Sequence, residues 1–210
     1  MILAVDLQIR SYTGGMVQTN AYLLGEGENC LLIDAPLGVT EWLAEIGEHP
    51  CALLLTHQHY DHIEDAAKLA AKGVRIFAHS PYSRDLTLEA LKEAMGMIMD
   101  VAPYEIDELL EGKDRLEIGG QAFTVHHIPG HSPDSISFNL GNVAFVGDTL
   151  FARGIGRPDL PGGNMETLLR CIREEILTLD ADTVVYPGHG PSTTVGIELA
   201  ENPYLNKLYL

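Results

Sequence analysis

Short apolar runs broken by glycines fill the first third of the chain, and their spacing predicts strands. Strands are expected over 2–10, 18–25 and 29–34, separated by Gly14-Gly15 and by Gly25-Glu26-Gly27, as an antiparallel meander. A helix is expected over 40–47 with Thr40 as its cap, and the short run 51–55 reads as a strand buried on both faces. Ile63, Ala66, Ala67, Ala70 and Ala71 then recur at helical spacing over 61–72, with Gly73 as the stop. A strand over 74–78 completes a βαβ unit.

The segment 80–100 reads as helical, with Pro81 in a first turn and Leu86, Leu88, Leu91, Met95 and Met99 as its apolar positions. A second strand-rich half covers 115–118, 121–128, 135–140 and 142–147, punctuated by Gly119-Gly120 and Gly141-Asn142. Asn164 is placed to cap a helix over 165–179, and a strand over 183–186 ends the core. Two strand-rich halves, each followed by a βα unit, predict an α/β (α+β) sandwich of two packed sheets with helices outside. No linker-like stretch or solenoid-length repeat interrupts the chain, so one domain is expected over 1–210.

Composition narrows the function. The chain has 210 residues, 46% of them hydrophobic, enough to bury a sizeable core. Thirty acidic against thirteen basic residues give a formal charge of −17, a field that repels phosphate backbones and anionic lipid surfaces. Nucleic acid and membrane are therefore not expected as partners. Bound divalent cations would offset part of that charge. The N-terminal residues lack the basic, then apolar, order of a secretory leader, and no run approaches the roughly 18 apolar residues of a membrane span. Cys30, Cys51 and Cys171 each sit in an apolar stretch, as buried thiols of a reducing cytoplasm would. A cytoplasmic location is the expectation.

The chemistry concentrates between the 51–55 strand and the helix after it, in Thr56-His57-Gln58-His59-Tyr60-Asp61-His62. In an extended segment His57 and His59 point to one side, while the turn into a helix swings Asp61 and His62 toward a second point. That arrangement suits two cations. Imidazole and carboxylate without sulfur select zinc, manganese or iron over copper(I). Three later segments each end an expected strand with one more donor: Pro129-Gly130-His131, Val146-Gly147-Asp148 and Pro187-Gly188-His189. Their glycines permit a sharp backbone turn beside an ion.

This succession resembles the metallo-β-lactamase fold superfamily, whose pattern is H-x-H-x-D-H followed by a His, an Asp and a His. The resemblance implies a four-layer αββα sandwich. It also implies that His57, His59 and His131 hold one metal, Asp61, His62 and His189 the other, and that Asp148 bridges the two. Within the superfamily, Gly147-Asp148-Thr149-Leu150-Phe151 and Gly154-Ile155-Gly156-Arg157-Pro158-Asp159 are similar to the glyoxalase II branch of hydroxyacylglutathione hydrolases. A true β-lactamase commonly has a cysteine near position 148, and no cysteine lies between 51 and 171. Only 21 residues follow His189, so the likeness is to short, single-domain members without the helical domain that binds glutathione.

Two cations, zinc being favoured over iron or manganese, would share a water and lower its pKa toward ~7, supplying hydroxide to attack an acyl carbon. Asp61 would orient that water or accept its proton. A thiolate leaves as a stable anion with little acid help, which favours thioesters such as S-lactoylglutathione. Tyr60, Phe151, Arg153 and Arg157 are candidate substrate contacts, with Lys207 a further cation for a substrate carboxylate. Asp34 and Asp159 are candidates to orient ligand histidines from behind. Three alternatives stand beside this reading. They are a persulfide dioxygenase with one iron on His57, His131 and Asp148, a lactonase or other ester hydrolase, and a binding protein with structural metals. The apolar end over 204–210 allows either a monomer or a homodimer.

Overall fold

The computed structural model of the protein describes residues 8–96 and 101–205. Two six-stranded mixed sheets face each other. The first contains β1 (Ile9–Gly14), β2 (Thr19–Leu24), β3 (Leu31–Ile33), β4 (Ala52–Leu54), β5 (Arg75–Ala78) and β6 (Glu108–Leu109), in that spatial order. Its first three strands pair antiparallel and the rest parallel. The second contains β7 (Arg115–Ile118), β8 (Gln121–His127), β9 (Ile136–Leu140) and β10 (Val143–Gly147). After a small ribbon of β11 (Leu150–Phe151) and β12 (Gly154–Ile155), it is completed by β13 (Val184–Pro187) and β14 (Thr193–Thr194). Its order is β14-β13-β10-β9-β8-β7, and β13 lies parallel to β10.

The period-2 alternation of side chains sorts each strand between layers. Leu31 and Ile33 of β3, Ala52 and Leu54 of β4, and Phe77 of β5 face the second sheet, against Phe123, Phe138 and Phe145. Leu32, Leu53 and Ile76 point the other way, onto the helices α1 (Val39–Ile46), α2 (Tyr60–Ile63) and α3 (Ala66–Ala70). Ala144 and Val146 of β10 alternate with Val143 and Phe145 and pack on Leu168 and Cys171 of α5 (Met165–Cys171) and on Val195 of α6 (Val195–Glu201). The result is four layers, helices–sheet–sheet–helices. Every strand between two layers must therefore be apolar on both faces, as the continuous runs at β4 and β10 are.

Several expected elements change where a distant backbone group competes for their hydrogen bonds. The first strand lies at Ile9–Gly14 and not over 2–10; residues 1–7 are outside the described range. Its register is set by pairing Ile9 with Leu24 and Gly14 with Thr19. The helix expected over 61–72 is divided into α2 and α3, because the Asp65 amide donates to the Ala35 carbonyl at 2.9 Å instead of continuing the helix. Thr40 does not cap α1. Gly38, at φ +90°, holds that position, and the buried Asp65 carboxylate accepts from the Gly38 and Thr40 amides, each at 3.0 Å. In place of one helix over 80–100 there is a looped approach to the short α4 (Glu89–Ala94). Leu88 sits left-handed at φ +62°, which interrupts any longer helix, and Met99 lies outside the described residues. Met95 is exposed. The helix expected over 165–179 is capped by Asn164 but widens after Cys171 into a turn with Leu177 bonded to Ile172.

Asp65 thus ties α1 to α3 through two amides and Lys68, whose Nζ lies 2.8 Å from the other oxygen. Replacing it by alanine leaves two amides of a helix start without acceptors, a loss of about 1–3 kcal/mol. Asp65→Ala should lower the unfolding free energy by that amount, read as a lower urea midpoint at an unchanged m-value, and Asp65→Asn should lose less. Equal stability of Asp65→Ala and the parent protein would show that solvent satisfies those amides.

Candidate metal centre

Five donors stand just past the end of a strand: β4 leads into His57 and His59, β8 into His131, β10 into Asp148 and β13 into His189, while Asp61 and His62 lie on α2. In the second sheet β10 and β13 pair parallel, and β8 runs the same way across the antiparallel β9, so their ends share one rim, and backbone bonds tie that rim together and to the first sheet. The Ile136 amide donates to the Thr56 carbonyl at 2.8 Å, Asn20 N to Gly188 O at 2.7 Å, and Gly188 N to Gly147 O at 2.8 Å. Two glycines are required by close approach. A Cβ on Gly188 would lie 2.1 Å from Asp148 Oδ1 and 2.6 Å from the His62 ring. Gly130, at φ +133°, passes so near α5 that a Cβ would meet Leu168 N at 2.4 Å.

All seven donors converge. The ligand atoms of His57, His59 and His131 lie within 4.8 Å of one another, as do those of His57, His62 and Asp148, and those of Asp61, His62 and His189. Asp148 touches both outer sets: one oxygen lies 3.3 Å from His62 Nε2, the other 3.4 Å from His131 Nε2 and 3.3 Å from His189 Nε2. His57 Nε2, His62 Nε2 and Asp148 Oδ1 are buried and have no hydrogen-bond partner. Unsatisfied polar atoms in such a place cost about 1–3 kcal/mol each. Their convergence fits divalent cations, and nitrogen with oxygen donors suits a borderline or hard ion. Cys30, Cys51 and Cys171 are free thiols outside all three donor sets.

The electrostatics divide the cluster. Burial pushes His57 and His131 down and His59 down to about 3, so these three imidazoles are neutral at pH 7 with lone pairs to offer. Burial acts in the same direction on His62 and His189, but the surrounding carboxylates outweigh it. Asp34, Asp61 and Asp148 hold His62 well above its usual value, and Asp148 and Asp61 raise His189 to about 10. Against their own burial, Asp61 is lowered to about 2 and Asp148 well below the carboxylate range, with His62 the strongest attraction for both. Without a cation, protonated imidazoles at one end balance the acids. A bound cation supplies that positive charge and displaces the protons.

Groups behind the donors fix their orientation. His62 Nδ1 donates to Asp34 at 2.8 Å, which leaves Nε2 facing the cluster. Asp34 also accepts from the Thr56 amide and hydroxyl at 2.8 and 2.7 Å. His131 Nδ1 donates to the Arg157 carbonyl at 2.9 Å, and His189 Nδ1 approaches the Gln18 carbonyl at 3.3 Å. Asp159 does not reach a donor histidine: it is exposed and takes the Arg157 guanidinium in a two-pronged pair at 3.0 and 2.9 Å. Arg153 donates to Glu201 at 2.8 Å on the surface. Phe151 places its ring 6.0 Å from that of His189, beside the centre. Tyr60 is half buried under the Lys92 ammonium, 5.0 Å from its ring. Lys207 lies outside the described residues.

Two contributors carry no signal in the sequence. Thr19 donates to Asp61 Oδ2 at 2.6 Å from 42 positions away. Asp134 accepts from the Gln58 amide at 3.1 Å and from the Ser132 hydroxyl at 2.5 Å, so one buried carboxylate joins the His57–His59 stretch to the His131 turn. Neither carries a motif that a local reading would isolate.

A sandwich of two mixed sheets with metal-ligating groups at one rim defines a metallo-hydrolase scaffold, and comparison with known proteins gives the same class. The profile of the metallo-beta-lactamase superfamily matches residues 14–189, and the chain belongs to that family. It is 39% identical over 201 residues to the probable metallo-hydrolase YqgX of Bacillus subtilis, covering 91% of this chain and 94% of that one. It is 36% identical over 202 residues to the hydroxyacylglutathione hydrolase GloC of Haemophilus influenzae, covering 90% and 93%. The crystal structure of BLEG-1 B3 metallo-beta-lactamase superposes with a TM-score of 0.84 at 34% identity, over 95% of this chain and all of that one. TTHA1623 in a di-iron-bound form superposes with a TM-score of 0.79 at 35% identity, over 93% and 100%. None of the described helices is long and apolar enough to cross a membrane.

If Asp34 orients His62 as its geometry requires, Asp34→Asn should weaken metal retention by roughly 10- to 100-fold in competition with a chelator. Unaltered retention would mean that the Asp34 carboxylate serves only the Thr56 turn.

Proposed function

We propose that the protein is a dinuclear metal-dependent hydrolase of acyl thioesters such as S-lactoylglutathione. The observation that carries the reading is the seven-donor cluster itself, in which Asp148 lies between a neutral histidine set and an acid-rich one. His57, His59 and His131 would hold one cation, Asp61, His62 and His189 the second, and Asp148 would contact both. Bound there, divalent cations supply an ionised water at neutral pH and polarise the acyl carbonyl.

The chain's own groups supply the rest. Asp61, held by the Thr19 hydroxyl at 2.6 Å, is placed to orient the attacking water or accept its proton. Asp61 and Asp148 both belong to the donor cluster and would face the cations, so neither is a free acid for a poor leaving group. That favours a substrate whose leaving group departs as a stable anion, which a thiolate does and an amine does not. The likeness to GloC points the same way. The likeness to BLEG-1, equally extensive, makes a β-lactam a necessary comparison substrate, because absence of a cysteine near 148 does not by itself separate the two chemistries. We place the chain as a single domain acting in the cytoplasm on a small molecule.

Two measurements test this. Elemental analysis of protein purified without added metal should give close to two ions per chain, zinc, iron or manganese. Asp148→Ala should remove both and lower kcat/KM by at least 10³-fold; two ions retained would refute a bridging Asp148. In a panel of S-lactoylglutathione, a lactone, a β-lactam and a glutathione persulfide with an oxygen electrode, thioester cleavage should dominate. Oxygen uptake on the persulfide with no thioester turnover would identify a dioxygenase instead.

A further inference from the structure

A groove of about 410 Å³ lies between the approach to α4 and the loops at 132–133 and 161–162. Leu86, Leu88, Leu91, Pro133 and Pro161 supply its apolar walls, and Asp85 is the only charged residue among the described residues that line it. Each of the three walls is tied to a segment that carries metal donors. Ser132 and Pro133 follow His131 directly, so their Cα atoms lie within about 8 Å of that donor's. Leu86 and Leu88 flank Thr87, whose carbonyl accepts the amide of Tyr60, between His59 and Asp61, at 3.1 Å. Pro161 and Gly162 lie in the turn closed by Gly163 N and Leu160 O at 2.8 Å, a few residues after Arg157, whose carbonyl takes His131 Nδ1. The walls therefore sit within two residues of His131 and one backbone hydrogen bond of the His59–Asp61 stretch.

Its chemistry selects what can lie there. The volume falls within the range of small-molecule sites. Among the described residues no cation lines it, and Asp85 repels an anion. The two arginines nearest the centre in sequence are already paired, Arg157 with Asp159 and Arg153 with Glu201. A tripeptide thiol such as glutathione carries two carboxylates, and none of the described residues of the groove meets them. The apolar part of a thioester that fits must then be the acyl chain. The backbone also holds this wall in place at a cost: Leu88 is buried at φ +62°, a conformation leucine rarely adopts.

We propose that this groove is the acyl site, and that the enzyme prefers thioesters of apolar, unbranched or aromatic acids over those of small hydroxy acids. This rests on the thioesterase reading above and specifies its substrate class. Each methylene removed from water on binding should tighten binding roughly three- to fourfold until the groove is filled.

The test uses the metal-loaded protein with acyl thioesters of one thiol, N-acetylcysteamine, from acetyl to decanoyl, beside S-lactoylglutathione. Expected is a rise in kcat/KM of at least 30-fold between acetyl and octanoyl. In Leu91→Trp, which fills the groove, the octanoyl-to-acetyl ratio should fall at least tenfold; in Leu91→Ser it should fall less. Calorimetry with the uncleavable thioethers S-octyl- and S-methyl-N-acetylcysteamine should show the same order, and Leu91→Trp should abolish the difference. Thioesters cleaved without chain-length dependence, or with a ratio indifferent to Leu91→Trp, would overturn the groove assignment and leave the thioesterase reading standing. A preference for S-lactoylglutathione over every apolar acyl chain would overturn it too. No thioester cleaved at all, with thioether binding intact, would refute the hydrolase reading and not the groove.

Discussion

The rest of the molecule is arranged around one electrostatic demand: seven donors are packed into a space where they cannot all satisfy each other. Four imidazoles and two carboxylates there are buried, and three of their polar atoms point at one another without a hydrogen bond. In water such groups would separate. Here they are held together by parallel strand ends and by cross-sheet backbone bonds such as Ile136 N to Thr56 O and Asn20 N to Gly188 O. The apolar layers on either side supply the free energy that keeps those ends in place. Phe77, Phe123, Phe138 and Phe145 are almost wholly buried between the sheets, and truncating any one would cost about 3–5 kcal/mol. A cation resolves the conflict at the rim by replacing several proton and imidazolium charges with one compact positive charge, so metal binding and folding share one free energy.

The donors were legible because each needs a particular local chemistry. Four lie in one heptapeptide, and the other three follow glycines that the backbone cannot do without, as the 2.1 Å approach of a Cβ on Gly188 to Asp148 makes plain. Asp34 directly follows the short apolar run of β3, where an acid has no reason to be, which is the kind of signal sequence can carry. Asp159 carried a similar signal, as part of a loop motif, and its carboxylate instead holds Arg157 in solvent. What separates the two is which side of a turn faces inward, a fact that only the tertiary structure contains.

The elements that read wrongly share a cause. Residues 61–72 have the apolar spacing of one helix, and the break arises because a carbonyl 30 positions away, at Ala35, takes the Asp65 amide. That break has a use. It frees the Asp65 carboxylate to cap α1, and it leaves α2 as a single turn that packs Ile63 on the sheet and aims Asp61 and His62 at the rim. Residues 80–100 likewise have helical spacing, yet over the described part, 80–96, the chain folds as a looped approach to the short α4 with Leu88 left-handed. Local propensity over a few residues is worth a few tenths of a kcal/mol per position, less than one buried charge-assisted hydrogen bond, so it yields wherever the site imposes an acceptor.

A chain with a formal charge of −17 that also gathers two ionised acids at its centre makes anionic substrates costly to bring near. Divalent cations in the donor cluster would reverse the sign locally, within a few ångströms, while the surface stays acidic and screened beyond about 8 Å at physiological ionic strength. On the reading proposed above, electrostatic attraction acts on the reacting carbonyl and its leaving group but not on distant parts of a substrate, so affinity for those parts comes from apolar burial. The groove with leucine and proline walls, lined by no cation among the described residues, suits that division of labour.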